Sequence, residues 1–384
     1  MKTVEADVLI VGTGFGAAAP ALRLAEAGFR VRMIEKGPHI EPSKDFRQTQ
    51  DPDYLRRYLK GYAGENISLL CGEGLGGGSG FYEMISLRAP SMAFDQRDGQ
   101  GRRLWPAGVD RETLDPFYDT AEEMLNVRQL RPDQVPKTGL VFALMMKRLG
   151  YSCDLGRYAV RGCIGSGFCV TGCIYGAKQS LHLNYLPQAI RAGAVIETDT
   201  EALRIRPTGA AQNARSGALV RMPHRYEVLC RRRTGSGERI RYLARLVVLG
   251  GGTVGTATLL LRSKKTLPAL SPHVGRNIAF NGSVKTAGLL ADDLPDGDMF
   301  TGQSHPGVFS YEFLASHGVV VTAAKPLPLQ AVASARLRLD GDTREPAYWG
   351  QPHVELMRRF RRRAIVLVAF GLTPPLASIR LRGD

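Results

Sequence analysis

Long apolar runs are missing from this chain of 384 residues. The longest, AIVLVAFGL (Ala364–Leu372), falls well short of the ~18 residues that cross a bilayer, so no transmembrane segment is expected. No cleavable leader is expected either, because the strand-like ADVLIVG (Ala6–Gly12) begins within a few residues of Met1. Both absences lead to the expectation of a soluble cytoplasmic protein. Cysteine is sparse: Cys71, Cys153, Cys163, Cys169, Cys173 and Cys230 are the only six, and in a cytosolic chain they are expected as thiols. Acidic residues are outnumbered, 36 against 51 Lys and Arg, for a net charge of +15. Nucleic acid is nevertheless not the expected partner. The basic runs are short, at Arg231–Arg233 and Arg358–Arg363, and no aromatic-interleaved basic stripe accompanies them. A solvated Arg-rich surface is expected instead, and the second run, which abuts the apolar segment, also suits an acidic partner chain.

The rest of the composition is that of an ordinary globular chain, with 44% hydrophobic and 23% charged residues. That length holds one large or two medium domains with a sizeable core. Its most informative stretch is the first, GTGFGAAAPALRLAEAGFRVRMIEKG (Gly12–Gly37). ADVLIVG is a β-branched run of the kind that forms a buried parallel strand. Gly12 and Gly14 permit a sharp turn and close backbone approach to a pyrophosphate, on which the next helix directs its free N–H groups. Ala17 stands at the third small position and allows tight helix–strand packing. The helix is expected from Ala18 to Ala27, with Pro20 in its first turn. Gly28 stops it, and a second strand closes on Glu35, about 20 residues past the glycines, where a carboxylate accepts from ribose hydroxyls. The acid disfavours a 2′-phosphate, which leaves NAD and FAD.

A second motif, CGEGLGGGSGFYEMISLRAP (Cys71–Pro90), carries five glycines within Gly72–Gly78. Such density suits a loop lying with its backbone N–H groups against a flat, charged ligand, followed by a strand-like FYEMISL. Here the chain resembles the glucose–methanol–choline (GMC) oxidoreductases, especially their cholesterol-oxidase-like bacterial branch. The likeness continues through LWPAGVDRETLDPFYDTAEEML (Leu104–Leu125) and GCIGSGFCVTGCIYGAKQSLHLNYLPQAIRAGAVIETDTEALRI (Gly162–Ile205). It extends through LVVLGGGTVGTATLLLRS (Leu246–Ser263) and HVGRNIAFNGSV (His273–Val284).

The resemblance implies FAD as cofactor and an α/β fold: a doubly wound parallel-sheet FAD-binding domain interleaved with an α+β substrate domain on an antiparallel sheet. The expected boundaries are 1–90 and 176–284 for the first, and 91–175 and 285–384 for the second. The cofactor-binding positions are Gly12, Gly14, Phe15, Gly16, Glu35 and Lys36 at the first turn and strand. Gly74, Leu75, Gly76, Gly77, Gly78 and Ser79 belong to the loop, Ala202 lies against the adenine, and Gly251 and Gly252 stand at the returning turn. Cys163, Cys169 and Cys173 lie where some relatives carry a cluster. Three thiolates fall short of the four zinc wants, so buried thiols and no metal are expected.

The resemblance also implies hydride transfer from an alcohol CH–OH to the flavin, with a histidine taking the hydroxyl proton. That histidine belongs to an HPxGT-like segment followed by an Asn-Pro element. Of seven histidines only His305, in GQSHPGVFSYEF, has that look, and it lacks the Gly-Thr. The catalytic residues are therefore unassigned, and the catalytic end is expected to lie outside this sequence. LTPPLASIRLRGD should end as a strand in mid-sheet, and Ala364–Leu372 should form an open sheet edge. Glu83, where relatives show small residues, either sets a carboxylate near the flavin or points into a polar pocket. Two functions follow: the FAD-holding part of an enzyme oxidising a sterol, another hydrophobic alcohol or a sugar, its remainder a companion chain or absent; or a non-catalytic flavin-binding, partner-binding relative.

Overall fold

The computed structural model describes residues 1–47, 49, 51–65, 67–209, 223–280, 283–298, 307–324 and 349–382. Its central strand, Lys2–Val11, pairs in parallel with Val31–Ile34 on one side and Arg239–Leu249 on the other. Val31–Ile34 in turn pairs in parallel with Val195–Glu197. Tyr226–Arg232 and Thr200–Pro207 extend this six-stranded sheet in antiparallel fashion.

Alternation along the central strand divides the core. Val8 and Ile10 face the helix Phe15–Glu26, packing with Ala17, Ala18, Ala21 and Leu22. Leu9 faces the other way, with Ile34, Val228, Tyr242 and Leu259, the last from the helix Gly252–Ser263. Helices thus cover both faces, which is the expected doubly wound α/β arrangement. Each of the buried Val, Leu and Ile side chains contributes roughly 1.5–3 kcal/mol.

The first helix begins at Phe15, three residues before the expected start, so Pro20 lies in its interior. The carbonyl that Pro20 leaves without its i→i−4 donor is that of Gly16, which is exposed to solvent.

The second sheet has five antiparallel strands in the order Val284–Leu289, Ala364–Gly371, Val319–Ala324, Val308–Ser310 and Asp154–Leu155. The helix Lys137–Arg148 packs on it through Val141, Phe142 and Met146. Three expectations are corrected here. Ala364–Gly371 is paired on both sides, and among the described residues the outer strands are Val284–Leu289 and the short Asp154–Leu155. The apolar character of Ala364–Val368 reflects burial within the sheet. FYEMISL is not a strand: Met84 takes a left-handed φ of 63°, and only Ile85 makes an isolated bridge, to Tyr158. The tail beyond Gly371 is no strand either. Pro374 and Pro375 have no N–H for a ladder, and the segment touches the body through Ala377 on Ile278 and the Ile379 N–H donated to Gly275 O (2.7 Å).

Candidate functional site

Three glycine turns converge at the carboxyl ends of Lys2–Val11 and Arg239–Leu249. Gly12 has φ +98°, and a Cβ there would lie 2.4 Å from the Gly250 carbonyl oxygen. A Cβ on Gly250 would in turn meet the Ala17 Cβ at 2.5 Å. The first and third small positions of the fingerprint are therefore fixed by contact between the two strand ends. Gly14 differs. Its φ is ordinary, and nothing approaches its Cβ position more closely than Gly77 Cα at 4.0 Å. It precedes a helix with no side-chain cap and no acid in its first turn, and the N–H groups of Phe15 and Gly16 donate to no described residue. Such an end is a ready anion site.

The glycine-rich loop lies directly against this turn. Gly76 and Gly77 have φ +87° and +57°, and a Cβ on Gly77 would come 3.0 Å from Gly14 Cα. Gly78 faces open space. Ser79 is fully buried: its hydroxyl donates to Gly76 O (2.7 Å) and accepts from the Leu181 N–H (3.0 Å), so it shapes the loop and leaves the open face to the backbone. Leu75 is buried beneath, and its N–H donates to Pro38 O (2.9 Å). Gly74 closes on Ile40, whose Cδ1 a Cβ would meet at 2.5 Å.

Glu35 ties these turns together. Thr13 donates its N–H (3.1 Å) and hydroxyl (2.6 Å) to one carboxylate oxygen, and Gly37 donates its N–H to the other (2.9 Å). The Thr13 hydroxyl itself accepts from the Gly76 N–H (3.0 Å). Burial raises the Glu35 pKa, with these hydrogen bonds acting against it. The carboxylate has about four lone-pair sites, so these three donors leave acceptor capacity. Glu73, on the adjacent loop, goes the other way. Burial opposes its ionisation, but hydrogen bonds from Lys36 (2.7 Å) and Arg233 hold it below the usual range. Lys36, expected as a cofactor contact, is thus engaged in an ion pair. Ala202 lies on Thr200–Pro207, whose start is fastened here by the Thr200 N–H donating to Glu35 O (2.8 Å). Gly251 and Gly252 open the helix Gly252–Ser263, again without a side-chain cap.

Four residues of the site were not singled out from sequence: Thr13, Lys178, His182 and Asn184. Lys178 is almost fully buried, and its ammonium donates to the carbonyls of Gly80, Cys169 (2.5 Å) and Tyr82 (3.3 Å), clamping the end of the glycine loop to the cysteine turn. Burial brings its pKa down to about 8. His182 is buried beside Gly76, with neither ring nitrogen hydrogen-bonded, and burial pushes it down to about 4. Asn184 caps the next helix through its Oδ1 and leaves its Nδ2 unpartnered. Phe15, 51% exposed, meets the Tyr82 ring edge-on at 5.4 Å and bridges the two glycine motifs. Only Thr13 carried a sequence signal, as the polar residue between the two glycines.

Glu83 is half-buried. Burial raises its carboxyl, and the charges of Lys285 and Lys178 act against that rise. No cysteine forms a disulfide, and of the three expected as buried only Cys169 is buried, Cys163 and Cys173 being half-buried; among the described residues no three His, Cys, Asp or Glu side chains gather as a metal site. His305 lies outside the described residues.

The sequence profile of GMC oxidoreductases matches residues 6–281. A cholesterol oxidase of Mycobacterium tuberculosis (strain ATCC 25618 / H37Rv) is 30% identical over 348 residues, covering 78% of this chain and 56% of that protein. A long-chain-alcohol oxidase of Arabidopsis thaliana is 26% identical over 315 residues, covering 79% and 39% respectively. The crystal structure of pyridoxine 4-oxidase from Mesorbium loti superposes with a TM-score of 0.60 at 16% identity, covering 95% of this chain and 71% of that one. The chain spans about half the length of the curated relatives it matches.

Proposed function

The chain belongs to the GMC oxidoreductase family, and from that premise we propose that it is the FAD-holding part of an enzyme that oxidises the CH–OH group of an alcohol. The family is flavin-dependent, and relatives are named for cholesterol and long-chain alcohols. One observation carries the reading: the free N–H groups of Phe15 and Gly16 point from an uncapped helix end beside Gly14 and Gly78, whose Cβ positions are open. Those spaces, and the unpartnered buried nitrogens of His182 and Asn184, fit a bound dinucleotide.

In this reading the helix end and the glycine loop hold the pyrophosphate. Glu35 accepts from the ribose, and the backbone at Ala202 with the Gly251–Gly252 turn holds the adenine side. Lys178 keeps the loop end rigid where the ring system would lie. The flavin, when bound, supplies the hydride acceptor. Residues 1–90 and 176–284 form the cofactor domain, and 91–175 and 285–384 contribute the substrate side. The group that takes the alcohol proton comes from the part of the relatives' length that this chain does not span, and the strand Val284–Leu289 is the edge at which that part adds.

Anaerobic mixing of the FAD-loaded chain with an alcohol tests this. General-base catalysis contributes roughly 10²–10⁴-fold, so flavin reduction by the chain alone should be slower by about that factor than after adding the remaining polypeptide. Full-rate reduction by the chain alone would overturn the assignment of the proton acceptor.

A further inference from the structure

At its far end the helix Gly252–Ser263 meets the strand Thr200–Pro207. The Ile205 N–H donates to the Ser263 hydroxyl (2.9 Å), and the Thr266 hydroxyl donates to Ile205 O (2.5 Å). Beside this junction opens a cavity of about 570 Å³, within the size range of sites for small organic ligands. Arg204, Arg231, Arg262 and Lys265 line it, with Glu201 as the one carboxylate.

Glu201 is already committed. It pairs with Arg231 (3.0 Å) from the neighbouring strand and Arg262 (3.6 Å) from the helix, and so fixes two guanidinium groups from different elements. Arg204 and Lys265 pair with no described residue. Leu203, Leu261 and Leu381 supply apolar wall beside these charges.

We propose that this cavity binds a phosphate monoester that carries an apolar group. Two cations with no partner among the described residues match the charge of about −1.5 to −2 on such a phosphate, and guanidinium groups receive its oxygens in a fork. The leucines cover the apolar part. The cavity adjoins the adenine side of the dinucleotide cradle, since Glu201 and Leu203 flank Ala202, but its cations lie away from the pyrophosphate turn: Arg262 stands ten residues beyond Gly252, roughly 15 Å along the helix axis. The inference does not rest on the cofactor reading.

Isothermal titration of the FAD-loaded chain with three probes tests it: inorganic phosphate, octyl phosphate below its micellar concentration, and uncharged octyl glucoside. Octyl phosphate should bind at one site per chain, at least about tenfold tighter than inorganic phosphate, while octyl glucoside should not bind. The double variant Arg204→Ala/Lys265→Ala should lose at least about tenfold in affinity for octyl phosphate, with its FAD content and melting temperature kept. Undiminished binding by that variant would overturn the proposal. So would equal affinity for the free and the alkylated phosphate, equal binding of octyl glucoside, or binding only to phosphatidate vesicles. Displacement of octyl phosphate by FAD or AMP would show the cavity to be part of the dinucleotide site and would equally defeat it. A colourless protein that still binds octyl phosphate would count against the cofactor reading alone.

Discussion

The strand Lys2–Val11 is paired on both sides and buried from Ala6 to Ile10, whereas among the described residues Val284–Leu289 is paired on one side, and it is exposed along five of its six residues. One sheet ends in a cradle whose every turn is pinned. The other ends in an exposed rim. In the first, contacts between distant segments are backbone on backbone, at Gly12 with Gly250 and Gly37 with Gly74, so tolerance to change is low. In the second, the outer row of N–H and C=O groups has no strand partner among the described residues. Rigidity is concentrated where a cofactor would be held.

The largest effect should follow from Gly12→Val. The φ of +98° and the 2.4 Å approach to Gly250 O would add backbone strain to steric overlap. We expect a loss of about 2–6 kcal/mol in urea unfolding. A variant of unchanged stability would mean that the two strand ends are not in contact.

Next in size is Lys178→Met, which strips the donor from three carbonyls and should cost about 2–4 kcal/mol. The pH dependence gives its own sign. The folded pKa of about 8 lies below the ordinary 10.5, so between these values the unfolded chain binds more protons. The penalty for the buried charge is full below pH 8 and is relieved as pH rises towards 10.5. Relative to the Met variant, the wild-type chain should gain stability across that window, measured by unfolding at each pH. A difference that stays flat would contradict the clamp.

Much of the cradle was legible because its rules are local. Gly12, Ala17 and Glu35 follow from the geometry of one strand, one turn and one helix. The roles of Lys178 and His182 were not, since they depend on loops about a hundred residues apart being folded together. Position 84 escaped notice because Met gives no sign that its φ will be positive. The sheet edge was placed on the wrong strand for a related reason. An apolar run says that a segment is buried, and only non-local pairing says which strand lies outermost.

A smaller effect concerns that edge. Amides of Val284–Leu289 should exchange at least about tenfold faster than those of Ala364–Gly371, and adding the remaining polypeptide should slow the former selectively. Equal exchange in both strands would remove the edge from the account. Smallest of all should be the triple variant Cys163→Ser/Cys169→Ser/Cys173→Ser. It should keep its cofactor with a stability change of about 1 kcal/mol per buried thiol or less, and elemental analysis of the parent should find no stoichiometric iron or zinc.

The central claim is that the two glycine turns and Glu35 hold FAD, and the visible spectrum of the purified chain tests it most directly. The account predicts a yellow protein that releases about one FAD per chain on denaturation. It also predicts that Glu35→Ala weakens FAD binding by ~1–3 kcal/mol, through lost charge-assisted hydrogen bonds. A colourless protein that binds NAD tightly and takes up no flavin would contradict it.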